Sequence, residues 1–160
     1  MKKLMFFGLV AILLVGAAVG AQEKPTLQVN AVKTAADIAW PYDGKQLQAQ
    51  LAAELQTKQG KKFAVVTEPA GTGRYFILNC EVLEWHPGNA AKRILVGMGS
   101  GRESAKIRYS VTDAGGKTVF QHEDTIRAEF WGNAYAGSVG QLAHPLADKI
   151  AGHLSDAKLE

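Results

Sequence analysis

The fold turns on one stretch: Ser104-Ala105-Lys106-Ile107-Arg108-Tyr109-Ser110-Val111-Thr112-Asp113-Ala114-Gly115-Gly116-Lys117-Thr118-Val119-Phe120-Gln121-His122-Glu123-Asp124-Thr125-Ile126-Arg127. Two alternating segments flank Gly115-Gly116, which sits where a two-residue hairpin turn requires positive φ. The register implied by such a turn pairs Val111 with Phe120 and Ala105 with Ile126 on one face. On the other it pairs Arg108 with Glu123 and, just beyond the stretch, Arg102 with Glu129. Apolar pairs on one face and opposite charges on the other make the register self-consistent. It also sends Tyr109, His122 and Asp124 to the apolar face, where a bulge near His122 would relieve them.

The segments upstream supply more strands and one helix. Thr26 to Lys33 alternates, with Leu27, Val29 and Ala31 on one face, and reads as the first strand. Asp43 is an N-cap with Gln46 three residues on. Leu47, Leu51 and Leu55, with Ala52 beside them, then form the apolar stripe of a helix closed by Gly60. Phe63 to Thr67 and Arg74 to Trp85 read as strands, the second placing Phe76, Leu78, Cys80 and Val82 on one face. Arg93 to Val96 begins a strand that resumes at Ser104. Downstream, Leu142, Leu146, Ile150 and Leu154 recur every four residues on a second helix. Ser138 and Gln141 resemble a capping box, so that helix either begins at Pro145 or carries a kinked first turn. The expected architecture is α+β: a mixed, largely antiparallel sheet of about five strands with two helices packed on one face.

Residues 1–21 read as a secretory signal peptide and residues 22–160 as a single α+β domain. Lys2 and Lys3 precede an uncharged apolar run from Leu4 to Val19. Val19-Gly20-Ala21 supplies small residues for cleavage between Ala21 and Gln22. The run is shorter than the ~20 residues of a spanning helix, and no later segment is apolar enough to span. No cysteine follows it, so the expected product is an unlipidated, soluble periplasmic or secreted protein. Cleavage removes two of the 18 basic residues and leaves 16 against 15 acidic ones. A near-neutral domain gives no electrostatic footprint for nucleic acid. The lone Cys80 cannot close an internal disulfide and reads as a small buried strand residue.

The motifs that carry chemistry are mostly absent. Lys92-Arg93-Ile94-Leu95-Val96-Gly97-Met98-Gly99-Ser100-Gly101 imitates a phosphate loop. Phosphate binding would need a helix after the glycines, and a strand follows instead. His86, His122, His144 and His153 have no metal-ligand spacing, so a metal site could arise only by tertiary convergence. None is expected, and no cofactor is indicated. No nucleophile elbow surrounds a serine. His122 and Asp124 could act as a base and its orienting partner, against the plainer reading of a polar pair at a bulge. Trp40-Pro41-Tyr42 and Phe130-Trp131-Gly132-Asn133-Ala134-Tyr135 both join a strand to a helix. If the first and last strands are parallel, Trp40, Tyr42, Trp131 and Tyr135 share one end of the sheet as a surface for a protein or ligand.

Gly88-Asn89-Ala90-Ala91-Lys92-Arg93-Ile94-Leu95-Val96-Gly97-Met98-Gly99-Ser100-Gly101 resembles the signature of the domain of unknown function 4410. The residues bearing it are Asn89, Arg93, Gly97, Gly99 and Gly101, with Asp113-Ala114-Gly115-Gly116-Lys117 similar to the family's turn. The resemblance spans essentially all of residues 22–160. It implies a bacterial exported domain without established activity, often a lipoprotein, although the lipid-accepting cysteine is missing here. The element order also resembles small α/β domains of envelope assembly factors, an analogy of fold alone. The expected function is a non-catalytic binding or envelope-assembly module with an unknown envelope protein as partner. A small-ligand carrier using the aromatic loops, or an enzyme using His122 and Asp124, are the alternatives.

Overall fold

The computed structural model describes residues 24–69, 71, 73–88, 101–129, 139–157 and 159. The signal segment with Ala21 and Gln22 lies outside them, as do Asn89, Arg93, Gly97 and Gly99, the strand start expected at Arg93 to Val96, Trp131, Tyr135 and Ser138. In chain order the elements are β1 (Thr26–Val29), β2 (Lys33–Thr34), α1 (Gly44–Gln59), β3 (Ala64–Val66), β4 (Tyr75–His86), β5 (Ser104–Asp113), β6 (Thr118–Arg127) and α2 (Gly140–Asp156). The strands form one mixed sheet in the order β3-β1-β4-β5-β6, with β2 beside β4. β1 is parallel to both β3 and β4, and β2 is parallel to β4. The β4–β5 and β5–β6 pairs are antiparallel. The α+β architecture is the one expected, with six strands among the described residues. Among the described residues no helix is long and apolar enough to cross a membrane.

Alternation sets the layers. Leu27, Leu78, Val82, Ile107, Val111 and Ile126 are buried against Leu47, Leu51 and Leu55 of α1 and Leu142, Leu146, Ile150 and Leu154 of α2. Cys80 belongs to this core at 3% exposure, and burial pushes its thiol up to about 12. The opposite face is solvated. There Arg108 holds Glu123 at 2.7 Å and Glu81 at 3.4 Å, and the Arg108 hydrogen bond, followed by its charge and that of Lys106, keeps the Glu123 carboxyl below its usual range. Buried Gln59 ties the helices together by donating to Ala151 O at 3.1 Å and Ser155 Oγ at 3.2 Å.

The hairpin register matches from Ser104–Arg127 to Val111–Phe120, but the turn differs. Gly116 alone of the pair has positive φ, at 80°. Gly116 N–H donates to Asp113 O, and Asp113 Oδ1 accepts from the N–H groups of Gly115 and Lys117 at 2.9 Å each. This is a longer turn with a left-handed glycine, and the extra residue is Val119, since Thr112 pairs with Thr118. The bulge therefore sits beside the turn and not near His122. Pairing ends at Ser104–Arg127, so Arg102 and Glu129 are not ladder partners. Glu129 instead gives its backbone N–H to Gln141 O.

That bond explains Pro145. The second helix begins at Gly140 and keeps Pro145 inside it. Proline cannot donate to the carbonyl four residues earlier, which is Gln141 O. Glu129 N–H takes that carbonyl at 3.2 Å. The first strand also departs from the expectation: it breaks after Val29 and resumes at Lys33. Val32 turns its N–H to Gly44 O at the start of α1, and Ala31 is exposed.

Candidate functional site

The C-terminal ends of β2, β4 and β6 and the start of β5 lie at one end of the sheet, as strand directions require. The chain from β2 to α1 passes over this end with Trp40 and Tyr42. Trp40 meets Tyr42 edge-on with ring centroids 5.1 Å apart, and meets Trp85 at 6.4 Å. Glu103 ties the group together. Its Oε2 accepts from Tyr42 OH and its Oε1 from Trp85 Nε1, each at 2.8 Å. All three rings are half-buried against the core, so each leaves part of an aromatic surface to solvent.

A shift in register places Trp85. Between Val82 and Glu84 the β4–β5 ladder gains a residue, so Glu84 pairs with Lys106 and Trp85 with buried Ala105. Uninterrupted alternation from Phe76 would have put Glu84 on the helix face and Trp85 on the open face. The bulge exchanges them. Just beyond, Gly88 and Gly101 both adopt left-handed backbone, at φ 78° and 70°. A Cβ on Gly88 would lie 2.6 Å from Gly101 O and 2.8 Å from Glu103 N. The glycines thus let two backbones close to the spacing that delivers Glu103 to Tyr42 and Trp85. β5 begins at Ser104, directly after Gly101 and Glu103, where a phosphate loop would need a helix N-terminus.

Of the four expected aromatics, Trp40 and Tyr42 come together here. Trp131 and Tyr135 lie outside the described residues. Trp85 and Glu103 were not foreseen, because the bulge that aims Trp85 has no marker in the alternation.

The other polar cluster lies where β5 and β6 meet α2. Tyr109 is fully buried and donates its hydroxyl to Asp124 Oδ2 at 2.5 Å. Lys149 Nζ and His153 Nε2 stand 3.7 and 3.6 Å from the same carboxylate. His122 stacks on His153 with centroids 3.8 Å apart. The alternative of a His122–Asp124 dyad is not formed: Asp124 turns to Tyr109, Lys149 and His153. The awkward polar residues are accommodated by helix partners instead of by a bulge.

Burial first, then the hydrogen bonds to Glu103 and Asp124, raise the hydroxyl pKa values of Tyr42 and Tyr109 well above the phenolic range. A raised acid favours the fold below its unfolded value. Stability is thus full below pH ~10, the ordinary tyrosine value, and declines as pH rises toward the folded values, because the unfolded chain releases these protons first. Urea midpoints should fall between pH ~8 and pH ~11. The double variant Tyr42→Phe/Tyr109→Phe should show a shallower fall, and an equally steep one would remove the two hydroxyls as its cause.

The sequence matches the profile of a domain of unknown function, DUF4410, over residues 22–128. The match stops before α2, short of the span that the resemblance implied. No curated protein matches the sequence. Among solved structures, an uncharacterized protein aligns with a TM-score of 0.55 at 16% identity, covering 82% of this chain and 90% of its own. Protein XCC0632 from Xanthomonas campestris, of family DUF330, aligns at 0.53 and 12% identity, covering 83% and 85%. The hypothetical protein CT253 from Chlamydia trachomatis aligns at 0.50 and 13% identity, covering 84% and 98%. At such identities the likeness is one of fold. The profile match covers most of the chain, and on that ground this protein belongs to the DUF4410 family.

Proposed function

We propose that this chain is an exported, non-catalytic binding module of the bacterial envelope, and that it engages a protein partner with the sheet end carrying Trp40, Tyr42 and Trp85. The observation that supports this most is the aromatic trio held on one carboxylate, Glu103. Partly exposed, pre-positioned aromatic rings offer a large contact area at small entropic cost, which is why they anchor interfaces. Export rests on the signal-like residues 1–21, and the missing lipid-accepting cysteine supports an unlipidated product. The engagement of Asp124 by three structural partners fits a binding role better than general-base chemistry.

A photo-crosslinking residue at position 42, with a control at Ser110 on the solvated face, tests the surface in cells. The expected result is a discrete adduct with an envelope protein from position 42 only, lost when Glu103→Ala is added. Adducts of equal yield from both positions, or none from position 42, would count against it.

One observation favours a small-ligand carrier as the second reading. The indole N–H of Trp40 is buried and has no hydrogen-bond partner among the described residues, so a ligand acceptor could take it. Titrating tryptophan emission with a panel of envelope ligands should then give a saturable change, and a flat response across the panel removes that reading.

A further inference from the structure

We propose that Glu129, His144 and Asp148 bind one divalent transition-metal ion, with Zn²⁺ the best match, and that Glu54 supports the histidine from behind. His144 Nδ1 lies 2.8 Å from Glu54 Oε2. Its Nε2 faces Asp148 Oδ2 at 3.6 Å and Glu129 Oε2 at 3.9 Å. One ligand atom from each of Glu129, His144 and Asp148 lies within 4.8 Å of the others. Tetrahedral Zn²⁺ with ligands at ~2.1 Å separates them by ~3.4 Å, which small side-chain rotations reach.

The placement is that of a metal-ligating histidine. Its Nδ1 faces the Glu54 carboxylate at 2.8 Å, and its Nε2 faces two further carboxylates. This carboxylate–histidine arrangement is the usual outer support of a metal ligand. Three carboxylates converge on this one imidazole. Lys58 Nζ balances only part of the charge: it binds Asp148 Oδ1 at 2.7 Å and reaches Glu54 Oε2 at 4.0 Å, so Oδ2 stays turned to His144.

A second observation concerns the same place. Glu54, Glu129 and His144 line a cleft of about 410 Å³ together with Gln50 and Gln141. Gln50 Oε1 is a buried acceptor with no hydrogen-bond partner among the described residues. Water on a bound cation is a donor of the kind that acceptor lacks. One imidazole nitrogen among carboxylates favours Zn²⁺ over Mg²⁺ or Ca²⁺, which prefer oxygen alone.

The backbone explains how residues so far apart in sequence converge. His144 and Asp148 are one turn apart on α2. The Gln141 carbonyl freed by Pro145 captures Glu129 N–H and so brings the Glu129 carboxylate to the same turn. A cation here would clamp the end of β6 to both helices. This inference is independent of the partner surface.

The test uses the untagged mature chain, stripped with EDTA and titrated with ZnCl₂ by calorimetry and by thermal unfolding. One saturable site and a raised Tm are expected, with no competition from equimolar Mg²⁺. Asp148→Asn, at an exposed position, and His144→Gln should each weaken binding at least ~10-fold, and Glu54→Gln ~10- to 100-fold as an outer support. His153→Gln should leave it unchanged. If His144→Gln does not fold, Asp148→Asn still decides the question. Absence of saturable heat in the native chain, or full affinity in Asp148→Asn, overturns the proposal.

Discussion

A chain of residues 22–128, the span of the family match, will fail to form the native fold. α2 contributes Leu142, Ala143, Leu146, Ala147, Ile150, Ala151 and Leu154 to the core. A fully buried leucine or isoleucine contributes about 1.5–3 kcal/mol, so its four large side chains supply ~6–12 kcal/mol. The net stability of a domain is about 5–15 kcal/mol. Truncation would also strand polar groups that α2 satisfies: buried Gln59, and Asp124 with its contacts to Lys149 and His153. Loss of a cooperative urea transition by circular dichroism is expected, and a truncated chain that still unfolds cooperatively would show that α2 is an accessory. Leu146→Ala is the graded form, expected to cost about 2–5 kcal/mol.

Gly88→Ala is the second large effect. The new Cβ would stand 2.6 Å from Gly101 O and 2.8 Å from Glu103 N, both backbone atoms, at φ 78°. Left-handed backbone costs a non-glycine residue ~1–2 kcal/mol, and forcing apart packed atoms costs about 1–3 kcal/mol. The sum, ~2–5 kcal/mol, lowers Tm by roughly 3–5 °C per kcal/mol in a domain of this size. The specific consequence is at the site. Displacing Glu103 N shifts the carboxylate that Tyr42 and Trp85 share, so tryptophan emission should change along with stability. A variant with native Tm and emission would mean that Gly88 is not needed for this close approach.

The regular elements were legible because each carries its own period. Leu47, Leu51 and Leu55 mark one helix, and Leu142, Leu146, Ile150 and Leu154 the other. The hairpin register followed from matching Arg108 to Glu123 and Val111 to Phe120. The interruptions were less legible, because each depends on a partner distant in sequence. The Val82/Glu84 bulge that turns Trp85 inward is set by pairing with β5. The break after Val29 is set by Val32 bonding Gly44 at the foot of α1. Pro145 left the start of α2 ambiguous, since only the captured Glu129 N–H shows how an internal proline is tolerated.

The candidate sites divide in the same way. Trp40 and Tyr42 stood out as aromatics at a strand-to-helix connection, while Glu103 and Trp85 join them only through strand pairing. His144 showed no ligand spacing along the chain, and its carboxylates come from α1, the end of β6 and the next turn of α2. By itself, then, the sequence determined the two-layer α+β fold and the hairpin register, because periodicity and complementary pairs are local properties. Outside the hairpin, tertiary structure alone decided which polar side chains meet, because a sheet and two helices bring together residues whose separation in sequence carries no signal.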